Sequence, residues 1–354
     1  MNDSLLFKDK PIFGLDIGFS NLKVMQLDSH GKRHTVTGYG LIDFDPEIIK
    51  DGVIVDPEAL AKVIHKLFAQ DIVGAITSRR VILSIPAVQT FNRTMQIPKL
   101  SQKELDEAIK LEAQQYIPMP LEELYIDYEI VRQNTDGLTL LISAAPRKII
   151  DSYITFCQLA GLEIAAIETT ISACNRIFMK TSVVDVPTIL IDFGARSSEI
   201  TVYDKKNMVV TSTAPGGGNN IAEILARQLE VTPKESHIIM KKYGLGVSKK
   251  QKQIIGSLSP LLESLIKEIR RMVRYYEERS GSNLKINQII TMGGGANMPG
   301  LAEYMTDRLR LPVRTFHPWD EFDFSLLTAP NEQERSAYAT VAGLALIKHK
   351  DIFS

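Results

Sequence analysis

Cysteine is nearly absent from this chain of 354 residues: Cys157 and Cys174 are the two, placed in separate helix-like stretches without metal-ligand spacing. That excludes a disulfide scaffold and a cysteine-bound zinc site, and points to buried thiols in a reducing cytoplasm. The six histidines are scattered, and His30 and His34 straddle a glycine turn, which is no geometry for a metal pair. No apolar run approaches the ~18–20 residues that a bilayer-spanning helix needs. The first ten residues hold Leu5-Leu6-Phe7 but no apolar core long enough for a signal peptide. An excess of either charge is missing as well. With 41 basic and 42 acidic side chains the net charge is −1, so no broad field draws nucleic acid or an acidic membrane. What remains is ordinary: 44% apolar and 23% charged residues, as in a cytosolic globular protein, and length enough for two or more domains with substantial cores.

The informative stretch runs from Phe13 to Leu27, Phe-Gly-Leu-Asp-Ile-Gly-Phe-Ser-Asn-Leu-Lys-Val-Met-Gln-Leu. An apolar strand enters the acid Asp16, turns at Gly18 and leaves through a second apolar run. The turn offers backbone N–H groups, the hydroxyl of Ser20, the amide of Asn21 and the ammonium of Lys23, all groups that hold anions. A carboxylate at a strand end holds a hydrated cation. One such hairpin carries little weight, but it is repeated at Ile189-Leu-Ile-Asp-Phe-Gly-Ala-Arg-Ser-Ser-Glu-Ile-Thr-Val202, where Asp16 falls on Asp192, Gly18 on Gly194 and Asn21 on Ser197. Polar turns follow both copies, His30-Gly31-Lys32 and Asp204-Lys205-Lys206-Asn207. A third glycine stretch, Gly293-Gly294-Gly295, follows the apolar run Ile289–Met292. Two duplicated hairpins and a strand feeding three glycines point to an α/β protein of two similar halves facing a phosphate-bearing ligand.

Between these motifs the chain reads in units. Thr35 to Phe44 is strand-like. Asp56-Pro57 caps and opens a helix with Leu60, Val63, Ile64, Leu67 and Phe68 at helical spacing, and Arg80 to Ile85 is a buried strand stopped by Pro86. From 88 to 167 the pattern becomes β-α-β-β-α-β, an inserted α+β interaction subdomain whose first helix opens on the capping box Ser101-x-x-Glu104. Its alternating strand 124–130 could lie at a sheet edge and pair with a peptide. The turn at Asp136-Gly137 leads to the next strand. Beyond the second hairpin, Pro215-Gly-Gly-Gly-Asn-Asn220 feeds a helix N-terminus, a place where phosphate or sugar is held and equally a plain tight turn. The helix from Ser257 to about Glu278 carries Lys267, Arg270, Arg271 and Arg274 on what reads as a solvated face. Trp319, in the loop His317–Phe324, is expected to fold back on the core, with an exposed contact for a partner as the alternative. The small residues of the last helix, Glu332 to Ile347, call for close packing against a neighbour.

With all three glycine motifs placed, the chain resembles the actin-like ATPase superfamily, and within it the FtsA-like branch and the PilM family of type IV pilus assembly proteins. The resemblance spans nearly the whole chain, and the boundaries it implies are 1–87 for the first part of domain I, 88–167 for the insert, 168–187 for the return to domain I, 188–332 for domain II and 333–354 for a closing helix. The Thr340-Val-Ala-Gly-Leu-Ala345 segment matches that closing helix, and the amphipathic membrane helix at the C-terminus of FtsA has no counterpart. Carried over, the family pattern implies that Gly18, Ser20, Asn21 and Lys23 contact the β- and γ-phosphates of ATP, and that Gly194 and Ser197 cover them from the other side. It further implies that Asp16 and Asp192 hold Mg²⁺ through water, that Gly216 and Gly217 approach the ribose, that Gly293, Gly294 and Gly295 flank the adenosine, and that Glu168 orients the attacking water.

Three departures narrow the resemblance. Active relatives have Gly-Gly-Gly-Thr where this chain has Gly194-Ala195-Arg196-Ser197, and added β-carbons restrict backbone approach. The Ala-Glu-x-x-Lys that touches ribose and base is replaced by Ser236-His237-Ile-Ile-Met240. Lys241 and Lys242 lie roughly 100° and 200° further around the helix and do not substitute. The Asn-Pro-Phe loop reads His317-Pro318-Trp319. The resemblance thus implies ATP binding with hydrolysis weak or absent, in a cytoplasmic pilus-assembly component. It would recruit the cytoplasmic N-terminal tail of a PilN-like inner-membrane partner, with pilus motor ATPases as further partners, and neither bind nucleic acid nor insert in the membrane. The alternatives are a metabolite kinase, for which Asp127 or Glu129 would supply the base, and an FtsA-like filament former.

Overall fold

The computed structural model describes residues 11–28, 34–134, 137–180, 186–205, 207–280, 285–316, 319, 322–325, 327–347 and 352. The turns expected at His30–Lys32, at Lys206 and at Asp136, together with His317 and Pro318, lie outside them. The chain opens with three antiparallel strands, β1 (Phe13–Ile17), β2 (Asn21–Asp28) and β3 (His34–Asp43). A short pair, β4 (Ile49–Lys50) and β5 (Val53–Ile54), leads to helix α1 (Pro57–Gln70). Asp56 caps it by accepting from the Ala59 N–H at 2.9 Å, and Pro57 supplies the preset φ of a first helical residue. Strand β6 (Ile72–Gly74) edges β3, and β7 (Arg80–Ile85) returns parallel to β1.

An antiparallel three-stranded sheet follows, built from β8 (Phe91–Ile97), helix α2 (Gln102–Tyr116), β9 (Leu124–Asn134) and β10 (Gly137–Pro146), in the order β8-β10-β9. Ser101 and Glu104 form the expected capping box, with the Ser101 N–H donating to Glu104 Oε2 at 2.9 Å. The small core of this unit holds Ile97, Leu105, Ile109, Leu140 and Ile142. The unit is shorter than the span 88–167 drawn from the pattern. Helix α3 (Arg147–Ala160) and strand β11 (Glu163–Thr169) belong to the first sheet instead: β11 pairs parallel with β7, and Ile149, Tyr153 and Phe156 of α3 pack with Leu60 and Ile64 of α1. Strand β9 is a sheet edge, as its alternation indicates, and Asp127 and Glu129 on it are exposed.

Helix α4 (Thr170–Met179) crosses to the second half. There β12 (Thr188–Phe193), β13 (Ser197–Asp204) and β14 (Asn207–Pro215) are antiparallel, followed by helices α5 (Gly218–Leu229), α6 (Pro233–Lys242) and α7 (Gln251–Ser280). The long helix starts before the apolar pattern does and carries Pro260 inside it. Strand β15 (Gln288–Met292), helix α8 (Leu301–Leu309) and strand β16 (Val313–Thr315) complete a five-stranded sheet, β14-β13-β12-β15-β16. The first sheet, β11-β7-β1-β2-β3-β17, has the same plan of three antiparallel strands continued by two parallel ones, plus β6 and β17 (Phe322–Asp323). The duplication seen in two hairpins therefore extends to two sheets.

The last expected helix is broken into α9 (Glu332–Arg335), a 3₁₀ turn and α10 (Ala339–Ala345). Every residue of α10 is buried, and its small side chains allow contact with backbone on two sides. A β-carbon on Gly343 would lie 2.0 Å from the Ala173 carbonyl oxygen of α4, and one on Gly14 of β1 would lie 2.7 Å from the Val341 carbonyl oxygen. One apolar cluster joins the halves at this point, with Met25 and Tyr39 from the first sheet, Leu190 and Met292 from the second, and Phe178 and Val341 between them. Trp319 is buried in the same cluster, its ring against Phe322, Phe324 and Tyr338. Both thiols are buried and free, and burial pushes Cys157 up to about 12, so neither forms a thiolate near neutral pH. Among the described residues no helix is long and apolar enough to cross a membrane.

Candidate functional site

The two hairpins close in the same way. The Gly18 N–H donates to the Asn21 carbonyl at 2.9 Å, and the Gly194 N–H donates to the Ser197 carbonyl at 3.0 Å. Those two amides are engaged inside their turns, so the glycines provide close approach rather than free donors. The turns face each other: the Arg196 guanidinium lies 5.1 Å from the ring centroid of Phe19. Ser20 lends its carbonyl to the Phe44 N–H, which pins the first turn to the end of β3. Among the described residues, the Asn21 Oδ1 atom is buried without a hydrogen-bond partner. Turned over, the amide presents N–H donors at the same point.

Directly behind the turns lie the acids. Asp16 is buried, takes the Lys23 ammonium on Oδ2 at 2.9 Å and accepts from the Ser84 hydroxyl on Oδ1 at 2.9 Å. In the second half Asp192 is partly buried and takes a weak contact from the Cys174 thiol at 3.5 Å. Strand register exposes an asymmetry between the copies. Asp16 stands opposite Lys23 across β1 and β2, whereas Asp192 stands opposite Glu199 across β12 and β13. Glu199 is buried, and both its oxygens accept from the Thr170 hydroxyl at 3.1 Å. The first hairpin thus carries an ion pair where the second carries two acids. Loss of water on burial, then the neighbouring Asp192, push Glu199 up to about 8, and burial with the charge of Asp16 pushes Asp192 up to about 6. The glycine motifs do not single out Glu199. Laying one hairpin over the other puts it on Lys23, and that charge reversal is the signal the sequence holds.

These shifts make stability depend on pH. Between the ordinary carboxylate range and about pH 8 the folded chain keeps the Glu199 proton that the unfolded chain releases, so stability falls as pH rises through that window. Glu199→Gln keeps an acceptor for Thr170 and removes the titration. Without added ligand it is expected to match the parent near pH 5 and to exceed it by about 2 kcal/mol near pH 9, since an uncompensated buried charge costs several kcal/mol. Thermal unfolding across that range checks this, and parallel curves for the two proteins would contradict it.

The glycine loops pack onto these hairpins with little space to spare. The Gly218 N–H donates to the Gly194 carbonyl at 2.9 Å, the Asn219 N–H to the Ala195 carbonyl at 2.8 Å and the Gly216 N–H to the Arg196 carbonyl at 3.1 Å. A β-carbon on Gly217 would lie 2.4 Å from the Gly194 carbonyl oxygen. The three glycines after β15 divide their tasks. Gly293 has φ +86°, and a β-carbon there would meet Asp192 Oδ1 at 2.2 Å. Gly295 leans on Phe193, while Gly294 is exposed with open space over it. On α6, Ser236 and Met240 are buried; Ser236 donates to the Pro233 carbonyl and Met240 joins the apolar core of the second half.

Of the residues expected at the site, Asp16, Gly18, Ser20, Asn21 and Lys23 share the first hairpin and its turn, and Asp192, Gly194 and Ser197 the second. Gly216, Gly217, Gly293 and Gly295 are packed directly on the second. Glu168 is placed otherwise. Both of its oxygens are taken by Arg176 of α4, at 2.7 and 2.6 Å, and that guanidinium also donates to the Gly343 carbonyl at 2.8 Å. Its contacts tie β11 to α4 and α10. Among the described residues no three acidic, histidine or cysteine side chains converge to enclose a metal directly.

Known proteins repeat this architecture. The PilM-PilN type IV pilus biogenesis complex contains a chain with TM-score 0.83 and 22% identity, covering 96% of this chain and 98% of that one. The ethanolamine utilization protein EutJ from Carboxydothermus hydrogenoformans aligns with TM-score 0.57 and 15% identity over 96% of this chain and 90% of its own. The cell division protein FtsA of Bacillus subtilis is 23% identical over 346 residues, 86% of this chain and 78% of its own length. These likenesses establish an actin-like ATPase fold. The family model described as type IV pilus assembly protein PilM matches residues 14–349, nearly the whole chain, and the chain belongs to that family.

Proposed function

We propose that the chain is a nucleotide-holding adaptor of type IV pilus assembly, which binds ATP with Mg²⁺ in the cleft between its hairpins and recruits the cytoplasmic tail of a PilN-like inner-membrane protein. The observation that carries the nucleotide half is the charge count at the cleft floor. Two carboxylates, Asp16 and Asp192, stand against one ammonium, Lys23, with the protonated Glu199 beside Asp192, a surplus of negative charge that a hydrated divalent cation compensates. Asp16 and Asp192 would hold that cation through water. The amide of Asn21, the Lys23 ammonium and the backbone N–H groups of the turn positions Phe19–Ser20 and Ala195–Arg196 would meet phosphate oxygens, and open Gly294 would leave room for the base. An MreB5 structure from Spiroplasma citri, TM-score 0.50 and 13% identity, carries AMPPNP, which supports nucleotide as the ligand class for this fold. His237 and buried Met240 stand where active relatives have the Glu and the Lys, and Glu168 is occupied by Arg176, so binding is favoured over turnover.

The partner half rests on the PilM-PilN complex and on a groove of about 950 Å³ between β8 of the inserted sheet and β14 of the second sheet. Both are edge strands, and their unpaired peptide groups are what an extended segment adds to. Tyr116, Glu112 and Arg279 line the groove and offer side-chain recognition. Titration calorimetry with a peptide of the partner's N-terminal tail is expected to give micromolar affinity in the presence of magnesium and ATP. Thr211→Trp, which fills the groove from β14, is expected to abolish that binding and spare nucleotide binding. A tail that does not bind at micromolar concentration ends the adaptor reading.

A further inference from the structure

The near-zero net charge hides a local imbalance. Between Val231 and Lys252 there are six lysines, at 234, 241, 242, 249, 250 and 252, and a single acid, Glu235. All six side chains are exposed, and among the described residues none forms an ion pair. On α6 the fold sets three of them on one face. Ser236 and Met240 turn α6 inward, so Lys234, Ile238, Lys241 and Lys242 share the opposite, outward face. The turn after α6 is anchored through the Leu245 N–H, which donates to the Pro299 carbonyl at 2.7 Å, and it lifts Val247 to 96% exposure beside Lys249 and Lys250. Ile238 is 54% and Tyr243 41% exposed, and Lys242 lies over the Tyr243 ring. Apolar side chains this exposed, spaced among unpaired lysines, call for a partner.

We propose that this face of α6 and the turn 243–250 rests on an anionic lipid bilayer, with Val247, Tyr243 and Ile238 entering the headgroup region and the lysines over acidic headgroups. Shape and charge together choose this occupant. A nearly bare valine at the tip of a turn projects, so the patch is convex, which suits a fluid surface that yields around it. Aliphatic and aromatic tips ringed by lysine are the composition of interfacial contacts. The binding is peripheral and reversible, and it stands independently of the nucleotide and tail readings, because no residue in it belongs to the cleft or the groove.

The test is co-sedimentation of the full chain with vesicles of phosphatidylglycerol and phosphatidylcholine, against phosphatidylcholine alone, at rising salt. Binding is expected only with the anionic vesicles and is expected to weaken steeply with salt. Lys249→Glu with Lys250→Glu is expected to lower affinity more than tenfold, from about fivefold per lysine, and to flatten the salt dependence. Val247→Asp is expected to weaken binding at every salt concentration. Thermal unfolding of the variants reports that they remain folded. The proposal is overturned by absence of sedimentation with anionic vesicles, by equal sedimentation with neutral ones, or by binding that both variants retain. Loss in the variants of self-association, or of binding to an acidic peptide, without any vesicle binding would assign the face to protein instead.

Discussion

Asp16→Asn is expected to lower the affinity for nucleotide in the presence of magnesium by about 10- to 100-fold, while leaving the weaker magnesium-free affinity little changed. The substitution is nearly isosteric and preserves an acceptor for the Ser84 hydroxyl, so the strand pair keeps its geometry. What it removes is one of two carboxylates facing each other from the duplicated hairpins, and a charge-assisted contact is worth about 1.5–3 kcal/mol. Lys23 then keeps only the more distant acids as counter-charges, which lowers the local field that favours a cation. Fluorescent-nucleotide titration with magnesium and with chelator separates these effects. Equal affinity for parent and variant under both conditions would remove the cation from the cleft floor.

Two glycine substitutions are expected to move stability in opposite directions for reasons visible in the packing. Gly343→Ala puts a β-carbon 2.0 Å from the Ala173 carbonyl oxygen, where only backbone movement of α10 away from α4 makes room. That movement breaks the apolar cluster joining the halves and stretches the Arg176 contact to the Gly343 carbonyl. A loss of more than about 3 kcal/mol is expected, at the top of the range for overpacking. Gly256→Ala lies within α7, where a β-carbon meets nothing within 4 Å, and it is expected to gain about 0.5–1 kcal/mol from helix propensity alone. Chemical denaturation of both variants measures the contrast. A mild loss at Gly343 would mean that α10 is not seated as closely as its neighbours require.

Much of this fold is legible in the sequence because the signals are local or repeated. Helix starts at Asp56-Pro57 and Ser101-x-x-Glu104 are set by capping chemistry within a few residues, and the structure has both. The hairpins stand out because the chain spells them twice. Sequence and structure part where a pattern fixes a buried face but not its neighbour. Helix α3 has the apolar stripe of any surface helix, and nothing in its spacing says that it packs on α1 rather than on α2. The pairing of Glu168 with Arg176 joins a strand end to the last turn of the next helix, a relation with no sequence period. The closing helix looks continuous in sequence because Ala and Gly at 337–345 carry no stop signal. Its break at residues 336–338 follows the Ser336 hydroxyl, which donates to the Gly293 carbonyl.

The contact of Arg196 with Phe19 has a consequence for how a ligand enters. It is the described link between the two turns at the cleft mouth, while a continuous apolar cluster joins the halves at the root. The Phe19 ring is buried but the Arg196 guanidinium over it is exposed, and a cation–π contact whose cation stays in water is worth about 0.5–1 kcal/mol, close to thermal energy. Such a clasp parts many times for each time that the buried root would yield. The molecule is built as a jaw with a loose front and a fixed hinge, and admission of a ligand is expected to be fast and governed by what closes over it.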